Sequence, residues 1–180
     1  IFKLAKAEGI VCGFVSNGNA TPQVLEFIRP FVDLYKVDLK GFDDKNYRKL
    51  GGVLQNVLDT IKLLKQMDFW VEVVTLVVPG FNDGDEELKG IAEFLAGVSC
   101  DIPWHVTAFH PEYKMTDPPR TPTETLIRAY ELGKAAGLRY VYPGNISGGV
   151  GTRENTYCVS CAKLLIRRRG FVVEENRMKG

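Results

Sequence analysis

Asp38 and Lys40 stand two residues apart at the end of an apolar run, Leu34–Lys40. Strand side chains alternate, so the two charges share one face while Val37 and Leu39 point the other way, toward helix packing. On the inward face of a barrel, unlike charges are costly to bury unless they pair with each other or meet a ligand. The pair is therefore either a structural ion pair or part of a site. His110, one of two histidines, follows the apolar run Trp104–Phe109. Its imidazole is either a satisfied structural group or, with Asp38 and Lys40, part of an acid–base set. Cys158 and Cys161 form a Cys-x-x-Cys. Two thiolates are half of a tetrahedral zinc or iron site; the alternative is a free dithiol or a disulfide. Cys12 and Cys100 are isolated in apolar surroundings and are expected to be buried small hydrophobes.

Further polar segments close the other apolar runs. Ser16-Asn17-Gly18-Asn19 follows Ile10–Ser16, Pro79-Gly80-Phe81-Asn82-Asp83 follows Phe69–Val78, and Pro143-Gly144-Asn145 follows Arg139–Tyr142. Asn-Gly and Pro-Gly are also ordinary turn formers, so each segment alone is ambiguous. The glycines at 144, 148, 149 and 151 either let backbone N–H groups approach a phosphate or adenine or form a linker.

The elements that must carry these residues alternate. Ile1–Gly9 reads as the last turns of an amphipathic helix stopped by Gly9. Thr21-Pro22 opens a helix running to about Arg29. Val53–Met67 carries apolar residues at 54, 57, 58, 61 and 64, a helical stripe. Asp83–Leu95 has acidic residues in its first turn, and Thr121–Gly137 is expected to be a helix with Pro122 early. Phe69–Val78 is nearly all apolar at its end, as for a strand covered on both faces. Strands and helices in strict alternation with short links predict a parallel sheet with right-handed crossovers. Ligands of such folds bind beyond the carboxyl ends of the strands, where all five polar segments fall. Residues 1–145 are expected to form a partial parallel (β/α) barrel. Residues 146–180 are expected to be a glycine-rich linker and a small Cys-x-x-Cys knuckle leading into a hairpin.

Composition narrows the function classes. The formal net charge is +1 with 25% charged residues, so no field favours nucleic acid or an anionic membrane. No apolar run approaches the roughly 20 residues of a membrane span. The cysteine pattern is not a secreted disulfide framework, which favours the reducing cytoplasm.

The order Ser16-Asn17-Gly18, Asp38-Leu39-Lys40, Val77-Val78-Pro79-Gly80-Phe81-Asn82-Asp83, then His110 after a strand, resembles the radical SAM glycyl-radical activating enzymes, of which pyruvate formate-lyase activating enzyme is the best known. The tail, Tyr142-Pro143-Gly144-Asn145 and then Glu154-Asn155-Thr156-Tyr157-Cys158-Val159-Ser160-Cys161, looks most like the AmmeMemoRadiSam-system radical SAM enzyme. The resemblance covers nearly the whole chain. It implies S-adenosylmethionine as cofactor, with Ser16 and Asn17 lining its site. It also implies that Asp38 and Lys40 contact the ribose and carboxylate, and that His110 and Asn145 complete the set. A Lys cation suits a carboxylate and an Asp suits hydroxyl donors. Asn82 and Asp83 fall on the rim of the same site. Where the activating enzyme has an Asp that helps hold a monovalent cation, this chain has Val15, so no cation site is expected.

Two family segments are absent. The Cys-x-x-x-Cys-x-x-Cys loop that holds the [4Fe–4S] cluster, and the Gly-Gly-Glu-Pro segment that binds the methionine amine, occur nowhere in the 180 residues. Cluster binding needs thiolates, so this polypeptide is expected to be the inactive C-terminal half of a radical SAM barrel. Its parent would be the enzyme, acting on a glycyl-radical-type protein or on a small molecule. Extra cysteines preceding the cluster loop of the resembled group would complete a zinc or second iron site at Cys158 and Cys161. The alternatives are a non-catalytic half-barrel scaffold and a non-radical enzyme using Asp38, Lys40 and His110. The apolar edge Ile10–Ser16 is expected to pair with a second copy.

Overall fold

In the first part of the chain, local signals and the folded elements coincide. Helix α1 (Phe2–Ala7) stops at Gly9, whose φ of +74° suits glycine. Helix α2 (Pro22–Ile28) begins at Thr21, whose hydroxyl accepts the Val24 N–H at 3.4 Å, with Pro22 in its first turn. Helix α4 (Leu54–Gln66) buries Leu54, Val57, Leu58, Ile61 and Leu64, the stripe expected from the sequence. The segment between these features holds a helix that periodicity did not reveal, α3 (Asp44–Lys49), capped by Asp43 accepting from Asn46 N at 2.8 Å.

The computed structural model describes residues 1–146 and 148–178. They fall into two compact units, Ile1–Val74 and Thr75–Gly180. Five parallel strands follow one another in chain order in one sheet: β1 (Gly13–Ser16), β2 (Leu34–Asp38), β3 (Trp70–Val77), β4 (Trp104–Ala108) and β5 (Val141–Gly144). Strand β3 runs from the first unit into the second. The order begins at β1 and ends at β5, so among the described residues the strands do not close into a barrel.

Within the first unit, Ser16 pairs in register with Val37, and Asp38 with Val74. Tyr35 and Phe69 meet edge to face at 6.0 Å and, with the α4 stripe, form this unit's core. Val37 and Leu39 are buried as expected. Strand β1 begins at Gly13 and not at Ile10 as expected; Ile10 and Val11, which precede it, and Val15 within it are exposed. Burial alternates along β3, with Trp70 and Leu76 exposed. The strand is therefore covered on one face, and the expectation of two covered faces is corrected. Asp33 accepts from the Lys6 ammonium and from Cys12 N at 3.0 Å, and these bonds, that from Lys6 first, hold its carboxyl below the usual carboxylate range. A carboxyl whose folded value is depressed contributes stability above its unfolded value, and that contribution is lost as pH falls through the folded value. Asp33→Asn should therefore flatten the loss of stability below about pH 4. Urea unfolding followed by circular dichroism from pH 6 to pH 2 measures this, and superimposable acid limbs for the two proteins would refute it.

The second unit packs α5 (Asp85–Val98) and α6 (Thr123–Ala135) with β4 and β5. Trp104 is fully buried and donates its indole N–H to the Thr75 hydroxyl at 3.0 Å. Gly133 lets α6 approach closely, since a Cβ there would lie 2.9 Å from Val141 and 3.0 Å from the Trp104 ring. Helix α6 starts at Thr123, two residues later than expected. Thr121 instead bonds from the loop into the sheet, its hydroxyl accepting from Phe109 N and donating to the Val77 carbonyl. Strand β5 begins at Val141 rather than Arg139, because the Arg139 N–H is held by the Cys100 carbonyl and its guanidinium by Asp101. The tail forms a separate antiparallel sheet of β6 (Thr156–Tyr157), β7 (Leu164–Arg169) and β8 (Val172–Asn176). Buried Glu154 accepts the Gly170 N–H at 2.9 Å and so fixes the β7–β8 turn. No helix among the described residues is long and apolar enough to cross a membrane.

Candidate functional site

In the first unit the candidates stand at the carboxyl ends of β1 and β2. The Lys40 ammonium meets Asp38 Oδ2 at 2.9 Å. The two side chains are 42% and 36% exposed, which corrects the expectation of a pair enclosed in a barrel. Their outward opening lets a ligand compete for each charge. Buried Tyr47 on α3 brackets the same segment: its hydroxyl accepts from Lys40 N at 3.1 Å and lies 3.4 Å from the Asp38 carbonyl. Burial, foremost, raises the Tyr47 hydroxyl above its ordinary range, so it stays protonated and serves as a strut. Sequence reasoning missed it; the available signal was Asp43 followed by Asn46, a cap opening a short helix.

Ser16 and Asn17 shape the turn after β1. Ser16 Oγ accepts from Gly18 N at 3.1 Å and Asn17 Oδ1 from Asn19 N at 3.1 Å. Gly18 has φ of +76°, and a Cβ there would lie 2.7 Å from Val37 and 2.8 Å from Val57. Glycine thus lets this turn lie against β2 and α4, with Asn17 left exposed.

In the second unit the ends of β4 and β5 are clasped. His110 Nε2 lies 2.8 Å from the Asn145 carbonyl, and Asn145 Nδ2 donates to the Ala108 carbonyl at 2.6 Å. A carbonyl only accepts, so this bond requires the proton on Nε2, the tautomer that makes Nδ1 the acceptor. Asn145 has φ of +56°, a conformation that Asn tolerates better than most residues. The structure thus joins Asp38 to Lys40 and His110 to Asn145.

The turn after β3 is structural. Asn82 is buried, with Oδ1 accepting from Val78 N at 2.7 Å and Nδ2 donating to the Leu76 carbonyl at 2.9 Å. Asp83 Oδ1 accepts from Gly80 N at 2.8 Å. The expectation that Asn82 presents itself on a rim is corrected: its amide is consumed by the backbone. Cys12 is buried as expected, although it precedes β1 instead of lying within a strand; Cys100 is exposed, contrary to expectation. It follows α5, where the chain turns on the surface.

Cys158 and Cys161 border a tight turn after β6. Cys158 N donates to the Lys163 carbonyl and Ala162 N to the Cys158 carbonyl, both at 2.9 Å, with Ala162 at φ of +55°. Backbone N–H groups, that of Ser160 first and then that of Cys161, are directed at Cys158 and hold its thiol below the usual range. Among the described residues no group of three or more His, Cys, Asp or Glu is placed to hold a metal ion.

Residues 1–95 match the family model of the Radical SAM superfamily. The chain belongs to the radical SAM superfamily. An uncharacterized protein of Methanocaldococcus jannaschii is 40% identical over 169 residues, covering 93% of this chain and 50% of that protein. Pyruvate formate-lyase 1-activating enzyme of Escherichia coli strain K12 is 26% identical, covering 78% of this chain and 63% of that enzyme. A crystal structure of a domain of pyruvate-formate lyase-activating enzyme from Bacteroides vulgatus shares the fold. Its TM-score is 0.71 at 19% identity, with 80% of this chain and 87% of that one covered. The likeness to pyruvate formate-lyase activating enzyme implied by the motif order is thus present in sequence and in fold. The radical SAM chain spans about half the length of its Methanocaldococcus relative.

The family implies S-adenosylmethionine and a [4Fe–4S] cluster as cofactors. The two fit this chain differently. Half-exposed opposite charges at a strand end match a zwitterion that carries a carboxylate and ribose hydroxyls. The cluster does not fit: of the four cysteines, only Cys158 and Cys161 share a motif, Cys12 is buried and Cys100 stands alone.

Proposed function

We propose that this chain supplies the Asp38–Lys40 and His110–Asn145 portions of the S-adenosylmethionine site of a radical SAM enzyme related to the activating enzymes. The cluster ligands then come from outside these 180 residues, and the polypeptide alone does not catalyse. The observation that carries this reading is the half-exposed Asp38–Lys40 pair, 2.9 Å apart at a β-strand end whose backbone is bonded by the Tyr47 hydroxyl. Lys40 offers its ammonium to the cofactor carboxylate and Asp38 accepts from its hydroxyls, with Ser16 and Asn17 as neighbours. His110, with Nε2–H on the Asn145 carbonyl, accepts at Nδ1. Bound S-adenosylmethionine supplies a carbon radical precursor in this family; the residues of this chain bind and orient it and hold no proton in flight. The activating enzymes are named for acting on other enzymes, which supports a protein substrate of the glycyl-radical type. Equilibrium dialysis of labelled S-adenosylmethionine against the chain tests the reading. Saturable binding that depends on Asp38 and Lys40 is expected, and binding indifferent to both would overturn it.

The same reading includes a metal at the tail. Cys158 and Cys161 give two thiolates in a knuckle whose backbone N–H groups face Cys158, as a zinc or iron site requires from one half of its ligands. The parent protein, with the cysteines that complete the site, is expected to carry zinc or iron there, and Cys158→Ser to lose most of it. Elemental analysis by mass spectrometry reads both, and equal metal content in the variant would exclude the site.

A further inference from the structure

A cleft of about 580 Å3 opens in the second unit between the His110–Asn145 clasp and the β7–β8 turn. Its volume is in the range that accepts small organic molecules, roughly 300–1,000 Å3. Arg120, Arg169, Ile146, Phe171 and Glu174 join His110 in its lining. Every other arginine in the chain reaches a carboxylate, a carbonyl or a hydroxyl. Among the described residues, Arg120 and Arg169 are the arginines whose side chains have no such partner, and both are in this cleft. Two guanidinium groups against the single carboxylate of Glu174 leave the lining net positive. A guanidinium is a planar fork of donors that matches carboxylate and phosphate oxygens. Phe171 beside them is 97% exposed, an apolar surface with nothing against it. The turn that carries Arg169 and Phe171 is pinned through Gly170 to buried Glu154, so the cleft is held in shape before any ligand arrives.

We propose that this cleft binds a small organic anion, its carboxylate or phosphate on Arg120 and Arg169 and its apolar body against Ile146 and Phe171. As a substrate class this rests on the radical SAM reading above, because His110 lines the same cleft; as a binding site it does not. A small anion is favoured over an acidic protein segment because both unpartnered guanidinium groups line one cleft of small-molecule volume.

Calorimetric titration of the chain with phenyl phosphate, benzoate and neutral phenol tests it. At least one anion should bind saturably and phenol should not, and the better anion tells phosphate from carboxylate. Arg120→Ala and Arg169→Ala should each weaken that binding at least tenfold. Arg139→Ala, whose guanidinium is held by Asp101, should leave it unchanged. Melting temperatures of the Arg120 and Arg169 variants should match the parent, since neither side chain has a partner to lose. Absence of saturable binding by either anion, or equal binding in the double variant, overturns the proposal. So does binding of a penta-glutamate peptide with neither small anion. S-adenosylmethionine titrated in parallel separates the two readings: anion binding without it sinks the cofactor assignment alone, and the reverse sinks the cleft alone.

Discussion

Asp38→Asn and Lys40→Met should each weaken S-adenosylmethionine binding by about 10- to 100-fold, the effect of removing one charge-assisted hydrogen bond worth roughly 1.5–3 kcal/mol. The two charges already compensate one another at 2.9 Å. A ligand gains only if it offers both an anion for Lys40 and donors for Asp38, and this selects a zwitterion over a simple anion or cation. The double variant should therefore fall short of the product of the single effects, since each loss frees the other charge for solvent. Stability should barely move, because a half-exposed pair contributes about 0–1 kcal/mol. Equilibrium dialysis with thermal melts on the same samples separates binding from folding. Unchanged affinity in both single variants would remove these residues from the site, and a collapsed melt would mean that the pair is structural.

Thr121→Val should lower stability by about 2–4 kcal/mol, with a melting temperature depressed by roughly 5–15 °C. The buried Thr121 hydroxyl donates to the Val77 carbonyl at 2.6 Å and accepts from Phe109 N at 2.8 Å. It ties the end of β3 to the end of β4 within the second unit. Valine has nearly the same shape, so no cavity forms, but two buried backbone groups lose their partner, each at a cost of about 1–3 kcal/mol. Thr121→Ser keeps the hydroxyl and should retain most of the stability. Calorimetry on the three proteins decides, and a Val variant that melts with the parent would show the latch to be dispensable.

Thr121 also shows where a sequence ceases to be legible. Thr-Pro ahead of an apolar stripe reads as a helix start, and at Thr21-Pro22 it is one. At Thr121-Pro122 the same dipeptide precedes a helix, but the hydroxyl is spent on two strands far away in the chain. The local signal is identical; only the neighbourhood differs. Asn82 is a similar case. An Asn in a polar turn after a strand suits a site, yet its amide is buried and satisfies the turn itself. Asp38 and Lys40 were readable because strand alternation alone puts them on one face. Tyr47 was not, because its role depends on α3 folding back over β2.

The parallel α/β order, the Thr21 cap, the α4 stripe and the shared face of Asp38 and Lys40 came from the sequence by itself. Each depends on a period or a cap that spans a few residues, and backbone geometry enforces those wherever they occur. Tertiary structure alone decided that the charged pair opens to solvent, that Asn145 clasps His110, and that Arg120 and Arg169, far apart in the chain, face one cleft without partners. Those outcomes depend on which strand ends and turns meet across long separations. No local period encodes that meeting; burial of the common core imposes it.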